Sequence, residues 1–325
     1  GRSWYRKAFE VPEDWEGKKV FIEFEGVYMN AEVWLNQNYL GRHPYGYTTF
    51  AYDLSPYLKA GEENTLTVKV DNDSQLNSRW YSGSGIYRHV WLMITDPVHV
   101  RHWGVYVTTP EVSEAQATVN VETTLNNETE DDQTVTLRTH VVTPDGAALD
   151  PVEAAIELKA GGSKVAVQIL NVTDPQLWSP RTPNLYSLET EVLVDGEAVD
   201  AASTPFGIRT LEFSAEKGFL LNGKETKLRG GCVHHDNGVI GAAAYDRSEA
   251  RKVERLKASG YNAVRCAHNP PSPAFLDACD RLGMLVIDEA FDCWREGKNP
   301  YDYHVAFADW WQRDLDSMLF RDRNH

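Results

Sequence analysis

The sequence predicts a multidomain chain: an all-β jelly-roll sandwich over 1–97, an immunoglobulin-like β-sandwich over 98–206, and the first half of a (β/α)8 TIM barrel over 207–325. Three observations carry this expectation. A chain of 325 residues exceeds one typical domain. Its first two thirds alternate apolar and polar residues with the period of two that a half-buried strand requires. Its last third switches to short apolar runs separated by segments of helical period, the order that builds a parallel α/β unit.

Within 1–97, KVFIEFEG sets Val20, Ile22 and Phe24 on one face, and NTLTVKVDN does the same with Leu66, Val68 and Val70. LNQNYLG and KAGEEN supply turn residues between such runs. Aromatics are dense: Trp34, Tyr45, Tyr47, Trp80, Tyr81, Tyr87 and Trp91. A jelly roll fits. From 98 to 206 the alternating sets are Val119–Val121–Thr123–Leu125, Val135–Leu137–Thr139–Val141, Val165–Val167–Ile169 and Tyr186–Leu188–Thr190–Val192–Val194. Short strands at this spacing suggest an immunoglobulin-like sandwich, with the acidic NNETEDDQ as a solvated hairpin end.

Past residue 207, TKLRGGCVHH reads as a strand. A helix follows, with Asp246 and Glu249 as a capping box and Gly260 as its stop. NAVRCA is the second strand. Ser272-Pro273 opens a second helix that Gly283 ends. MLVIDEA is a third strand, apolar enough to be buried on both faces. Residues 305–321 form an amphipathic helix with Val305, Ala308, Trp311, Leu315, Met318 and Leu319 on one stripe. Three βα repeats do not close an eight-stranded barrel, so the third strand is expected to leave an unpaired apolar edge.

Lys plus Arg number 32 and Asp plus Glu 48, a net charge of −16. Such a surface repels phosphate backbones and anionic lipid, which argues against nucleic acid as a partner. No run of eighteen apolar residues occurs, so no helical membrane span is expected. Cys232, Cys266, Cys279 and Cys293 all fall in the last hundred residues without a CxxC pair. They read as free, mostly buried thiols rather than a disulfide frame. Cytoplasmic or periplasmic location, and homo-oligomer formation, stay open.

Polar residues gather after each barrel strand. His234, His235 and Asp236 follow the first. Arg265 lies within the second, with His268 and Asn269 after it. Asp288 and Glu289 end the third, with Asp292 and Trp294 beyond. In a barrel these positions point to the C-terminal rim, where active sites are built. Each has a plainer reading. The His-His-Asp run is compatible with a hydrogen-bonded loop. Arg265 in an apolar strand needs a carboxylate, and Asp288 or Glu289 serves as a structural one. His268-Asn269-Pro270-Pro271 is compatible with a rigid turn. Trp294 is either core or, beside carboxylates, a sugar-stacking platform. His234, His235 and Asp236 lack the spacing of a metal motif, so no metal is expected there. Three successive strands delivering such groups to one rim favour a site.

FLLNGKETKLRGGCVHH, NAVRCAHNP, CDRLGMLVIDEAFD and RDRNH resemble glycoside hydrolase family two, the β-galactosidase and β-glucuronidase family. WYRKAFEVP, AEVWLNQNYLG, YGYTTFAYDLS and RWYSGSGIYRHVWL resemble its N-terminal sugar-binding jelly roll. LWSPRTPNLYSLETEV and FGIRTLEF resemble the end of its immunoglobulin-like domain. The resemblance runs over essentially the whole chain. It implies a retaining exo-β-glycosidase, with β-galactosidase as the first reading, acting on a β-linked galactoside or related sugar without a cofactor. β-Glucuronidase is the alternative within the family, and a non-catalytic carbohydrate-binding protein is the rival from another class. The resemblance also implies that RDRNH leads into a fourth strand bearing W-S-x-G-N-E. That Glu would be the general acid/base, and a second Glu further on the nucleophile. The sequence is therefore expected to be a fragment, incomplete in its first domain, that lacks both carboxylates and turns nothing over by itself.

By motif match, His234 and His268 resemble histidines that hydrogen-bond sugar hydroxyls. Arg265 resembles the arginine that keeps the nucleophile ionised and oriented. Asp236 and Glu289 are implied as sugar or supporting partners, and Asn324 as a structural group beneath the next strand. Two departures matter. The positions of a magnesium-binding Glu and His carry Cys293 and Arg295, so that metal is not implied. The Asp that reaches into the pocket just before G-I-[FY]-R has no counterpart among Asn77, Ser78, Arg79 and Trp80. Arg79 or Trp80 then makes that contact, or packs between domains. Ala267 stands where a Ser usually precedes the His-Asn-Pro turn.

Overall fold

A computed structural model describes residues 1–325. The chain is a jelly roll, an immunoglobulin-like sandwich and the opening βα units of a TIM barrel. Its residues group into two compact units. One holds Gly1–Ile94, Gly230–Ala278 and Val286–Leu319; the other holds Thr95–Arg229, Cys279–Leu285 and Phe320–His325.

In the first unit, strands Arg2–Glu10, Glu63–Asp71, Ala31–Leu35 and Asn38–His43 lie side by side in that order. A second sheet orders Phe50–Asp53, Lys19–Phe24 and Val90–Thr95. The inward alternate residues of both, including Val20, Ile22, Phe24, Val33, Leu66, Val68 and Val70, form one core. A second, aromatic core joins Tyr28, Tyr45, Tyr47 and Tyr87 to Cys293, Tyr303 and Phe307. The barrel portion begins with Gly230–Val233, which pairs in parallel with Ala263–Cys266. Leu285–Ile287 lies beside the second of these. Helices Asp246–Ala258, Pro273–Leu282 and His304–Asp322 follow the three strands. Ser272 starts the second helix, its Oγ accepting from Phe275 N at 3.3 Å. Gly283, at φ +75°, ends it in the left-handed region that a glycine enters without strain.

The second unit is a sandwich of two antiparallel sheets. One orders Val98–Val112, Gln116–Asn127 and Ser163–Thr173; the other orders Val152–Leu158, Gln133–Val142, Tyr186–Val194 and Glu197–Phe206. Asn324 belongs to this unit. Its side chain accepts from Val107 N at 3.0 Å and donates to Val105 O at 2.9 Å, so it splices to a sandwich strand.

Four local expectations are corrected. The capping box does not form: Tyr245 is the N-cap, and no side chain caps the helix. Glu249 is instead buried, accepting from Asn237 Nδ2 at 2.6 Å, while Asp246 pairs with His89 at 2.6 Å. In strand Ser163–Thr173, Val165, Val167 and Ile169 face solvent and Ala166, Gln168, Leu170 and Val172 face inward. The inner Gln168 is satisfied by Thr139 Oγ1 and by the carbonyls of Leu137 and Val152, which removes the cost of burying it. The third barrel strand is at a sheet edge and is not buried on both faces; Ile287 is 52% exposed. The last helix forms as expected, but only part of its stripe turns inward: Met318 is buried and Leu315 half-buried, joined by Phe307 and Asp314, whereas Val305, Ala308, Trp311 and Leu319 are exposed.

Candidate active site

Parallel pairing sets Cys232 opposite Arg265. The Arg265 guanidinium then meets three partners. Nε donates to Glu289 Oε1, Nη1 donates to Cys232 Sγ at 3.3 Å, and Nη2 lies 3.4 Å from His268 Nδ1. The same Nδ1 is 3.3 Å from Glu289 Oε2. Glu289, and after it Cys232, holds the guanidinium more firmly protonated than an ordinary arginine. The plainer expectation that Arg265 needs a carboxylate is met by Glu289, and the same carboxylate reaches a histidine.

His234 closes the cluster. Its ring lies 5.6 Å from that of His268, edge to face. Burial, then the neighbouring His268 ring, lowers its pKa, so the imidazole is neutral at pH 7. Trp80 walls both histidines, its ring 5.2 Å from His268 and 6.0 Å from His234, with Nε1 donating to Tyr47 OH at 3.0 Å. Asp236 is half-buried, and its charge acts on His234 and His235. Asp288 is half-buried at the end of the third strand.

His235 turns the other way. It packs between Tyr47 and Tyr87, at 5.1 and 5.7 Å, with Nε2 3.1 Å from Ser82 O. Burial first, then the Arg88 charge, pushes its pKa down to about 4. The neutral ring therefore donates its Nε2–H to that carbonyl. Asn269 is likewise buried. It shares with Arg88, His234 and His235 the wall of a cavity of about 20 Å³, the size of one water. His235 and Asn269 thus line a small cavity that His234 of the cluster also borders.

Arg79 is not at the histidines. Its Nη2 and Nε donate to Asp292 at 2.7 and 3.3 Å, and Lys298 Nζ donates to the same carboxylate at 2.8 Å. Burial alone would raise the Asp292 pKa, but these cations hold it below the usual range. Trp294, two residues on, is 66% exposed in this chain, its ring 6.0 Å from that of Phe307. Cys293 is buried, its thiol pushed up to about 12 by burial and then by Asp302, so it stays protonated and is a poor metal ligand.

The structure thus brings together Arg265, His268, Glu289, His234 and Trp80, all within the first compact unit. Cys232, Lys298 and Tyr47 were not singled out as site residues. The signal for Cys232 is strand register, which places it opposite Arg265 and is not written in composition or spacing.

Sandwich domains followed by barrel strands that collect an arginine, histidines and a glutamate at their ends define a multidomain protein of the TIM-barrel class. Three family models match in succession. They are the sugar binding domain of glycosyl hydrolases family 2 over residues 1–97, the family 2 domain over 98–209, and the family 2 TIM barrel domain over 214–323. The chain belongs to glycosyl hydrolases family 2. It is 50% identical over its whole length to β-galactosidase BoGH2A of Bacteroides ovatus, covering 38% of that protein. A solved family 2 member from Bacteroides cellulosilyticus is 47% identical with a TM-score of 0.98, over all of this chain and 42% of that one. The β-glucuronidase of Bacteroides uniformis is 32% identical with a TM-score of 0.90, over all of this chain and 40% of that one. The chain therefore spans about two fifths of the length of these relatives.

Proposed function

We propose that the complete gene product containing these residues is a retaining exo-β-glycosidase acting on β-galactosides, organised as domains 1–97, 98–206 and 207–325. The observation that carries the reading is the Arg265–Glu289–His268 cluster, walled by Trp80 and flanked by a neutral His234. The preference for galactosides rests on 50% identity across the whole chain to a β-galactosidase. The structural likeness to a β-glucuronidase keeps glucuronides as the second reading.

Retaining hydrolysis uses two carboxyl groups about 5–5.5 Å apart, one nucleophile and one acid/base, through a covalent glycosyl-enzyme. By the family resemblance those two lie in barrel strands other than the three described above. The residues present supply the surroundings. Glu289 and Cys232 pin Arg265, which aims a fixed positive charge where a nucleophilic carboxylate must stay ionised. Donation of His268 Nδ1–H to Glu289 is the charge-assisted choice and leaves Nε2 to accept a sugar hydroxyl's proton. Neutral His234 both donates and accepts, as a hydroxyl-lined sugar edge requires.

The test is a hydrolysis panel on the complete gene product with β-galactoside and β-glucuronide substrates, following the first-formed sugar by proton NMR. Release of β-galactose is expected. Glucuronide turnover alone transfers the reading to β-glucuronidase, an α-anomer refutes retention, and silence on both substrates removes the proposal.

A further inference from the structure

We propose that Arg88, on the jelly roll, is a positioning residue for His268. Its guanidinium braces the turn that bears the histidine against the wall that bears Trp80, so the first domain sets the geometry of the sugar cup without touching the sugar. The inference rests on the glycosidase reading above.

Arg88 is 6% exposed. A charge so deep ordinarily meets a carboxylate, but the hydrogen bonds here go to backbone carbonyls. Nη1 donates to Tyr47 O at 3.0 Å and to Glu25 O at 3.4 Å, and Nη2 donates to Pro270 O at 2.9 Å. The last of these joins residues 182 positions apart, from the jelly roll to the turn after the second barrel strand. A planar guanidinium engages separate segments at once, which a compact ammonium does not. The side chain has little room to turn elsewhere. Its guanidinium carbon lies 5.1 Å from the centre of the Tyr87 ring, and a Cβ on Gly26 would stand 2.9 Å from Arg88 Cδ.

Both of the segments it joins belong to the site. Pro270 follows His268 by two residues, and Pro270-Pro271 have no backbone N–H with which to fasten the turn from within. Arg88 fastens it from outside. Asn269, between the histidine and the held carbonyl, is 3% exposed, so the turn is packed and shifts as a unit. On the other side, Tyr47 offers its carbonyl to Arg88 and its hydroxyl to Trp80 Nε1, which donates at 3.0 Å. The Trp80 ring lies 5.2 Å from that of His268. One guanidinium therefore links the main chain behind the histidine to the main chain behind its tryptophan wall. The contact of His268 Nδ1 with Glu289 at 3.3 Å sets the direction of the ring, and Arg88 sets where that ring starts from.

The experiment is a double-mutant cycle in the complete gene product, with Arg88→Met, His268→Ala and the pair assayed on a β-galactoside. Unfolding midpoints in denaturant are measured first, and kinetics follow under conditions where each variant is folded. Arg88→Met should lower kcat/KM by about 30- to 100-fold, in kcat more than in KM, as a misplaced support does. In the His268→Ala background the same change should cost less than about three-fold. Arg88→Lys keeps the buried charge without the fork, should show the same pattern, and stands in if Arg88→Met does not fold. Equal losses with and without His268 mean that Arg88 serves the fold alone and overturn the proposal. So do full activity in Arg88→Met or failure of both Arg88 variants to fold. A His268→Ala enzyme of unchanged kcat/KM overturns it too, while the glycosidase reading stands. An unmodified gene product that turns over no β-glycoside overturns both.

Discussion

Arg265 is a charged side chain in a strand whose neighbours Val264 and Cys266 are buried, but its own side chain is 41% exposed, and Glu289 fixes where the guanidinium points. The sequence offered two carboxylates for this role. Only the side-chain geometry selects Glu289, adds Cys232 as a second fixing, and ties His268 to the same carboxylate. Glu289→Gln keeps the shape and removes the charge. In the complete gene product kcat/KM for a galactoside should fall by about 100-fold or more, with KM changing less, because a preorganised charge is lost. The doublet His234-His235 shows where residue-level reading stops. Both histidines were candidates, yet one faces the cluster and the other is packed against Tyr47 and Tyr87. Alternation along the chain separates them, but nothing in the sequence says which face is which. His235 also gives a pH prediction. Its folded pKa of about 4 lies below the ordinary value of 6.5, so the unfolded chain binds the extra proton first. Its contribution to stability is complete above pH 6.5 and is lost as pH falls toward 4, by up to about 3 kcal/mol. Denaturant titrations from pH 7.5 to 4.5 should show this slope, and His235→Gln should flatten it.

At the scale of elements, helix His304–Asp322 is the clearest case of a correct element with a face only partly read. Of its predicted stripe Met318 is buried, whereas Val305, Trp311 and Leu319 are exposed. The inward face is organised by a carboxylate instead. Asp314 is 1% exposed, accepts from Thr48 Oγ1 at 2.6 Å and from Tyr303 OH, and lies 2.8 Å from His43 Nε2. A hydrophobicity pattern counts such a residue as outward, because its burial depends on partners far away in sequence. Asp314→Ala should therefore cost about 3–5 kcal/mol in denaturant unfolding, since it strands His43, Thr48 and Tyr303. Trp311→Ala should cost less than about 1 kcal/mol. The reverse ranking would restore the stripe read from the sequence. The same cause accounts for Gln168 facing inward while Val165 and Val167 face out. Strand and helix positions were legible from period and from breakers such as Ser272-Pro273 and Gly283. Faces were not legible wherever a buried polar group is paid for by a distant partner.

On the scale of the whole molecule, the order of two sandwiches and a parallel α/β segment follows from the change of period near residue 207. The grouping of residues 1–94 with the barrel helices does not, because its ties are long-range. His43 meets Asp314 across 271 positions and Arg79 meets Asp292 across 213. The aromatic core shared by Tyr45, Tyr47, Tyr303 and Phe307 predicts that the jelly roll is not independent. Residues 1–97 alone should exchange the backbone amides of Tyr45–Thr49 with solvent much faster than the 325-residue chain does; equal protection would refute this. On the proposed reading the cluster at Arg265 supplies supporting groups and not the reacting pair, so the 325 residues purified alone should hydrolyse no β-galactoside. The central claim is that Arg265, His268, His234 and Glu289 form one sugar cup. It is tested most directly by a crystal structure of the complete gene product trapped as its 2-deoxy-2-fluoro-galactosyl enzyme. The account predicts sugar hydroxyls within hydrogen-bond distance of His234 and His268, and Arg265 against the carboxylate bonded to the sugar. A trapped sugar held away from all three would contradict it.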